Sequence, residues 1–239
     1  MPKFKAVLFD LGNTLFKMGK EDDWDWTAIH KEAFDRVGVN VDAQKLQQAI
    51  LNIPEEMLAD KGVLYGEIYR FHMGIIKHIL QELGFNDIDS GKLHAATMSA
   101  RDVFVNTHSL SDDALPCLER LRRNGLRLGA ISNAEGLVVI NCERFGLARY
   151  LEFVIDSAHV GVQKPDAAIF QVAINALNLN SEGFMQPGEI VYIGNDLETD
   201  ALAAKAAGMA GVWLNRDDER GDPRVPTVHS LLDLEGLLS

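Results

Sequence analysis

Asp10, Ser132 with Asn133, Lys164, Asn195 with Asp196, and Asp200 are the residues of this chain whose types and settings suit chemistry. Asp10 ends the apolar run KAVLF where it breaks into the turn residues LGNT, and a carboxylate at the mouth of a buried strand is costly unless something pairs with it. Taken alone, Asp10 reads equally well as a turn acid capping whatever follows. Ser132 and Asn133 end the strand-like LRLGAIS, and Asn195 and Asp196 follow EIVYIG. Lys164 lies in the loop GVQKPD, and Asp200 comes one helical turn after Asp196. Ligands of an open parallel sheet bind outside the carboxyl ends of its strands, so parallel neighbours would bring an acid, a hydroxyl, an ammonium and a second acidic cluster to one edge. That set suits a phosphate and a hard divalent cation: carboxylate and carbonyl oxygens bind magnesium, while hydroxyl, lysine and backbone donors hold phosphate oxygens. Singly, each residue has a plainer reading. Ser132 is a turn serine, Lys164 a surface lysine, and Asp196 and Asp200 are acids favouring a helix N-terminus.

The elements that must position these groups fall into two styles. Residues 5–9 read as a short strand buried on both faces, because the apolar run is continuous and does not alternate. From about Glu21 the pattern is amphipathic helix, through Trp24, Ile29, Ala33, Phe34 and Val37, then Leu46 and Ile50. The longest helix is predicted from about Leu64 to Leu83, stopped by Gly84, with more helix through Leu93 to Val105 and no convincing strand in this block. From Ser111 helices alternate with strands LRLGAIS, FVIDS, EIVYIG and AGVWL, the sequence form of a parallel sheet covered on both faces. One α/β domain is therefore expected, with a helical block inserted just after Asp10. In the tail from Asn215, the stretch RDDERGDPR reads as a solvated loop.

Composition narrows the function. With 239 residues and 47% hydrophobic content a core is readily built, and a formal net charge of -12 disfavours nucleic acid and anionic membrane as partners. Cys117 and Cys142 follow no metal spacing and suit two free thiols in a reducing cytoplasm. Only four apolar residues separate Lys5 from Asp10, unlike a signal peptide, and no run approaches the roughly 18 apolar residues of a membrane span.

The order Asp10…Thr14, Ser132, Lys164-Pro165 and GNDLETD resembles the four motifs of the haloacid dehalogenase-like hydrolase superfamily, with GVQKPDAAIF close to the family's GVRKPDPAIF style. The block at roughly 17–108 resembles its C1 cap, so the resemblance covers essentially the whole chain. It implies a doubly wound, Rossmann-like parallel α/β core at 1–16 and 109–239 with an α-helical cap at 17–108. It also implies a magnesium-dependent, cytoplasmic phosphatase, monomer or homodimer, acting on a small phosphorylated metabolite. Asp10 would be the nucleophile, forming an aspartyl phosphate. Mg2+ would be held by Asp10, the Gly12 carbonyl, Asn195 and Asp196, with Asp196 favoured over Asn195. Ser132, Asn133 and Lys164 would bind the phosphoryl group. Thr14 would orient the nucleophile loop, and Asp200 would support Lys164 or a metal-bound water.

Two positions depart from the family pattern. Phosphatases of this superfamily usually carry a second aspartate, a general acid and base, where this chain has Gly12; the last motif has Asn195 for its first acid. A leaving group needing no proton, or a cap residue such as Asp22, Asp23, Asp25 or His30, would relieve the first. Competing functions are haloacid dehalogenation, phosphonate cleavage through a cap lysine (Lys45, Lys61 or Lys77), and phosphometabolite binding without turnover. Trp24 and Trp26, two apart, are expected to face different sides of one helix, so that both are not core. Hinges are expected near Lys17–Lys20 and Asn106–Ser109.

Overall fold

The computed structural model describes residues 4–18, 24–59, 62–179, 183–217 and 220–238. Contacts divide the chain into two units, Met1–Met18 with Ser109–Ser239, and Gly19–His108. In chain order the first unit begins with β1 (Ala6–Phe9) and β2 (Phe16–Lys17). The second carries α1 (Trp26–Arg36), α2 (Ala43–Leu51), α3 (Glu55–Leu58), α4 (Tyr65–Glu82) and α5 (Ser90–Asn106). The first resumes with β3 (Ser109–Leu110), α6 (Ala114–Arg123), β4 (Arg127–Ser132), α7 (Val138–Arg144), β5 (Val154–Asp156), α8 (Ser157–Val160) and α9 (Ala167–Leu179). It ends with β6 (Ile190–Gly194), a π-helical turn (Leu197–Leu202), α10 (Ala203–Ala206), β7 (Ala210–Leu214), β8 (Thr227–Val228) and α11 (Leu234–Leu238).

Six strands make one sheet in the order β5-β4-β1-β6-β7-β8, with every pairing parallel. The reason lies in the strand sequences. Within β1, Val7 and Phe9 enter one apolar cluster while Ala6 and Leu8 enter the other; within β6, Val191 and Ile193 part from Ile190 and Tyr192 in the same way. Period-2 alternation thus feeds two cores, one on each face, and no position along the run is left for a polar face. The first core is closed by Cys117, Leu118 and Leu121 of α6, the second by Ile169, Phe170, Ala173 and Leu177 of α9.

The described residues of RDDERGDPR are mostly exposed and outside helix and strand, as expected of a solvated loop, and the chain beyond them returns to the sheet. Trp213 donates its N–H to the Pro226 carbonyl and Asn215 to that of Val228, which adds β8 to the sheet edge. Leu231 and Leu234 then bury fully in the first core. A two-residue strand has too few residues to display a period, so apolar patterning does not announce it.

The helical unit has its own core, in which Phe34, Leu46, Ile79 and Leu80 are fully buried. Its longest helix, α4, stops as its apolar stripe implies, with Leu83 as C-cap and Gly84 at φ 90°. The tryptophans correct the expectation that they face different sides of one helix. Trp24 precedes Asp25, the N-cap of α1, so only Trp26 is helical; both rings pack on Phe104, at centroid distances of 4.8 and 5.5 Å. No helix among the described residues is long and apolar enough to cross a membrane.

Candidate active site

β1 lies between β4 and β6, with Phe9 in register with Ala130 on one side and Ile193 on the other. Asp10 follows directly and donates its backbone N–H to the Ile193 carbonyl at 2.8 Å. Its carboxylate therefore leaves the sheet where β4 ends at Ser132 and β6 at Gly194, at the place where the chain's two βα halves diverge.

Lys164 reaches into this crevice from the loop before α9. Its Nζ donates to Asp10 Oδ1 at 2.6 Å, to Asp200 Oδ1 at 2.6 Å and to the Tyr192 hydroxyl at 3.0 Å. The lysine and both carboxylates are almost wholly buried. Asn133 holds the lysine from behind: its Oδ1 accepts the Lys164 N–H at 2.7 Å and its Nδ2 donates to the Lys164 carbonyl at 2.8 Å. Both ends of the Asn133 amide are thus engaged with backbone, whereas Ser132, the buried last residue of β4, is in register with Asp156 across the sheet.

Two carboxylates share one ammonium, leaving the buried trio with a formal charge of -1. Burial, reinforced by Asp200, pushes the Asp10 carboxyl up to about 6, against the opposing pull of Lys164 and Thr14. For Lys164 burial acts downward, but Asp10 and Asp200 outweigh it and hold the ammonium above its ordinary value. The Tyr192 phenol is pushed well above its ordinary value by burial and by the same two carboxylates. At neutral pH the site therefore holds a protonated lysine and a neutral phenol.

Asp200 reaches this cluster from the π-helical turn. The Asp200 and Ala201 N–H groups both return to the Asp196 carbonyl, at 3.2 and 3.3 Å, and the widened turn lets Asp200 Oδ2 accept the Asp196 N–H at 3.1 Å. A methyl group at Gly194 would overlap the Asp200 carboxylate, so the strand must end in glycine for the acid to lie there. Asp196 itself is exposed and caps the turn through the Thr199 N–H at 2.7 Å.

Asn195 lies against the loop that follows Asp10. Its Oδ1 accepts from the Thr14 hydroxyl at 3.4 Å, and its carbonyl accepts the Trp213 indole N–H at 3.0 Å. Thr14 is fully buried, and its carbonyl accepts from Arg216, whose guanidinium also pairs with Asp113 at 2.9 Å. Asp113 further accepts from Ser230 and the Leu231 N–H, so the C-terminal tail is tied to the loop after Asp10. At Gly12 an added Cβ would meet Met18 Sδ at 2.6 Å, which places a thioether where a side chain at this position would begin.

The donors fit a hard divalent cation. Asp10, the Asn195 amide and the backbone carbonyl of Gly12 are oxygen donors, and the residual negative charge of the trio suits a cation. No group of three or more His, Cys, Asp or Glu stands ready for a metal among the described residues. A cation here would thus draw on few carboxylates, completed by water and phosphate oxygens, as magnesium commonly is.

Asp10, Lys164 and Asp200, singled out in the sequence, are in direct contact, and Thr14, Asn133 and Asn195 flank them. Of the suggested cap acids, Asp22 and Asp23 lie outside the described residues, as does Lys61. Within the helical unit Asp25 caps α1 through the Ala28 N–H, and His30 is buried, its ring Nδ1 donating to the Trp26 carbonyl at 2.7 Å. Burial lowers the His30 pKa below its ordinary value. Lys45 and Lys77 are exposed. Sequence reasoning missed Tyr192, Arg216 and Trp213. A hydroxyl two residues before Gly194 in an otherwise aliphatic strand was the available signal for Tyr192; nothing in RDDER marks Arg216.

Residues 4–208 match the family model described as haloacid dehalogenase-like hydrolase. The chain is 27% identical over 244 residues to a glyceraldehyde 3-phosphate phosphatase of Methanopyrus kandleri, covering 96% of each. Among solved structures it resembles a 2-haloacid dehalogenase from Pseudomonas syringae pv. Tomato DC3000 (TM-score 0.73, 24% identity, 98% of each chain). It is similar as well to a HAD phosphatase from Thermococcus onnurineus (TM-score 0.66, 24% identity, 99% of this chain and 98% of that one). A dehalogenase and a phosphatase thus share its fold, and chemistry has to be argued from the site.

Proposed function

We propose that this chain, which belongs to the haloacid dehalogenase-like hydrolase family, is a phosphoric monoester hydrolase that acts on a small phosphorylated metabolite through an aspartyl phosphate on Asp10. The observation carrying this reading is the buried ammonium of Lys164 gripping both Asp10 and Asp200 at 2.6 Å. The name of the Methanopyrus relative supports the phosphorylated substrate.

Asp10 attacks phosphorus in line, forming the carboxylate oxygen to phosphorus bond as the bond to the leaving oxygen breaks, and that oxygen takes its proton from solvent water because Gly12 has none to give. Water then attacks phosphorus and releases phosphate and the free carboxylate. Lys164 neutralises charge on Asp10 and on the phosphoryl oxygens, and the Ser132 hydroxyl donates to one of those oxygens. Asp200 keeps the lysine charged and aimed, Asn133 fixes its backbone, and Thr14 with Asn195 braces the loop. Mg2+ would be held by Asp10, the Gly12 carbonyl and Asn195, in place of the Asp196 favoured from sequence, which is exposed and caps the turn, and would offset the repulsion between a carboxylate and a phosphate.

Release of phosphate from an aryl phosphate, with and without magnesium, tests the reading. Turnover should require the metal and fall to background in Asp10→Asn; metal-independent turnover would count against it. One observation favours a second reading. Gly12 offers no proton and Met18 fills its side-chain space, an arrangement that suits a leaving group needing none, such as halide. Chloride release from a 2-haloacid, without metal, is the outcome that would favour dehalogenation.

A further inference from the structure

We propose that Tyr192 is a positioning residue whose phenol occupies the third proton of the Lys164 ammonium in the resting enzyme and yields it to a phosphoryl oxygen when substrate binds. This rests on the phosphatase reading of the site. An ammonium has three N–H donors, and here all three are spent within the protein, on Asp10, Asp200 and Tyr192. For Lys164 to touch a phosphate oxygen, one of these must give way.

The three bonds are unequal. Those to the carboxylates are 2.6 Å long and charge-assisted, and breaking either would leave a buried anion short of a partner. The bond to the phenol is the longest, 3.0 Å, and its acceptor is neutral. Release also leaves the hydroxyl satisfied. It can donate to Asp200 Oδ1 at 3.1 Å or to the Ile131 carbonyl at 3.3 Å, both independent of the lysine proton. The ring is fully buried and packs edge-on against Phe170 at 5.2 Å, so the oxygen keeps its place whether or not the lysine uses it. A phosphate oxygen, carrying charge, is the better acceptor and displaces it.

Replacing the hydroxyl should accordingly strengthen phosphate binding, a sign that general loosening of the site would not produce. Calorimetric titration of inorganic phosphate in magnesium buffer is compared for the wild type, Tyr192→Phe, Lys164→Met and the double variant. Tyr192→Phe should bind about 3- to 10-fold tighter, the order of one neutral hydrogen bond, and lower KM without raising kcat. With Lys164→Met as background the same change should have no effect, because Tyr192 acts through the lysine. Weaker or unaltered binding by Tyr192→Phe overturns the proposal. An independent readout uses the wild type alone. The Raman Fermi doublet of its 4 tyrosines should move toward the donor-only signature on saturation with phosphate, and an unchanged doublet overturns the proposal even if the variant does not fold. A wild type that binds no phosphate would instead remove the phosphatase reading, and this inference with it.

Discussion

At Asp10 two demands on one carboxylate conflict, since the proposed role as nucleophile needs the ionised form while burial favours the neutral one. With its pKa pushed up to about 6, the metal-free carboxyl is half protonated near that pH. The acid limb of the pH profile at low magnesium should therefore rise through about 6, above the range of an ordinary aspartate; a limb near 4 would refute this. The linked effect on stability has a definite sign. The folded state holds the Asp10 proton more tightly than the unfolded chain, so the stabilisation is present below the unfolded value of 3.8 and is lost as pH rises through about 6. Asp10→Asn, which cannot ionise, should then melt higher than the wild type at pH 8 in chelator, by about 2–4 °C per kcal/mol gained, with the gap narrower at pH 5 and closed only below the unfolded value of 3.8. Scanning calorimetry at the two pH values checks it. Asp10 was legible in the sequence because an acid interrupts an apolar strand, and Lys164 and Asp200 were legible by their order behind it. Tyr192 was not, because a tyrosine in a buried strand looks like core until its hydroxyl partners are known.

Secondary-structure elements were legible where they are long or apolar. β7 matches the AGVWL run residue for residue, and α4 begins and ends within one residue of its apolar stripe. The rest depends on tertiary contacts. β2, β3 and β8 have two residues each, too few for a period. The π-helical turn is set by what Asp200 must reach, not by local propensity, and LETDAL reads as ordinary helix. At this scale Gly194 and Gly211 matter most. A Cβ at Gly211 would collide with the Ala201 backbone, whereas one at Gly194 would strike the Asp200 side chain. Gly211→Ala should therefore prevent folding. Gly194→Ala should fold but lose roughly 10²-fold in kcat, the scale of an ångström-sized misplacement of catalytic groups. Circular dichroism and turnover separate the two, and a Gly194→Ala enzyme of full activity would contradict the role given to Asp200.

Over the whole molecule, the helical unit is an excursion between two strands that pair with each other. Phe16 is in register with Leu110 and Lys17 with Ser109 in an antiparallel ribbon, so the points where the chain leaves and rejoins the first unit are fixed side by side. We propose on that basis that residues 19–108 are a separable insertion. With Asn-Gly in their place the ribbon would be closed by the three-residue loop Met18-Asn-Gly, its glycine at the αL position, and would become a hairpin. The shortened chain should unfold cooperatively in urea with a smaller m-value; a non-cooperative transition would refute the independence of the first unit. The central position of β1 has another consequence, for synthesis. β1 is made first, yet its neighbours β4 and β6 follow only after about 120 and 180 residues, which at about 5–20 residues per second is roughly 6 s or more of waiting. Meanwhile the helical unit, rich in local contacts, can fold on the emerging chain. β1, the strand that leads to Asp10, is therefore a nascent apolar segment that must wait unpaired for both its neighbours.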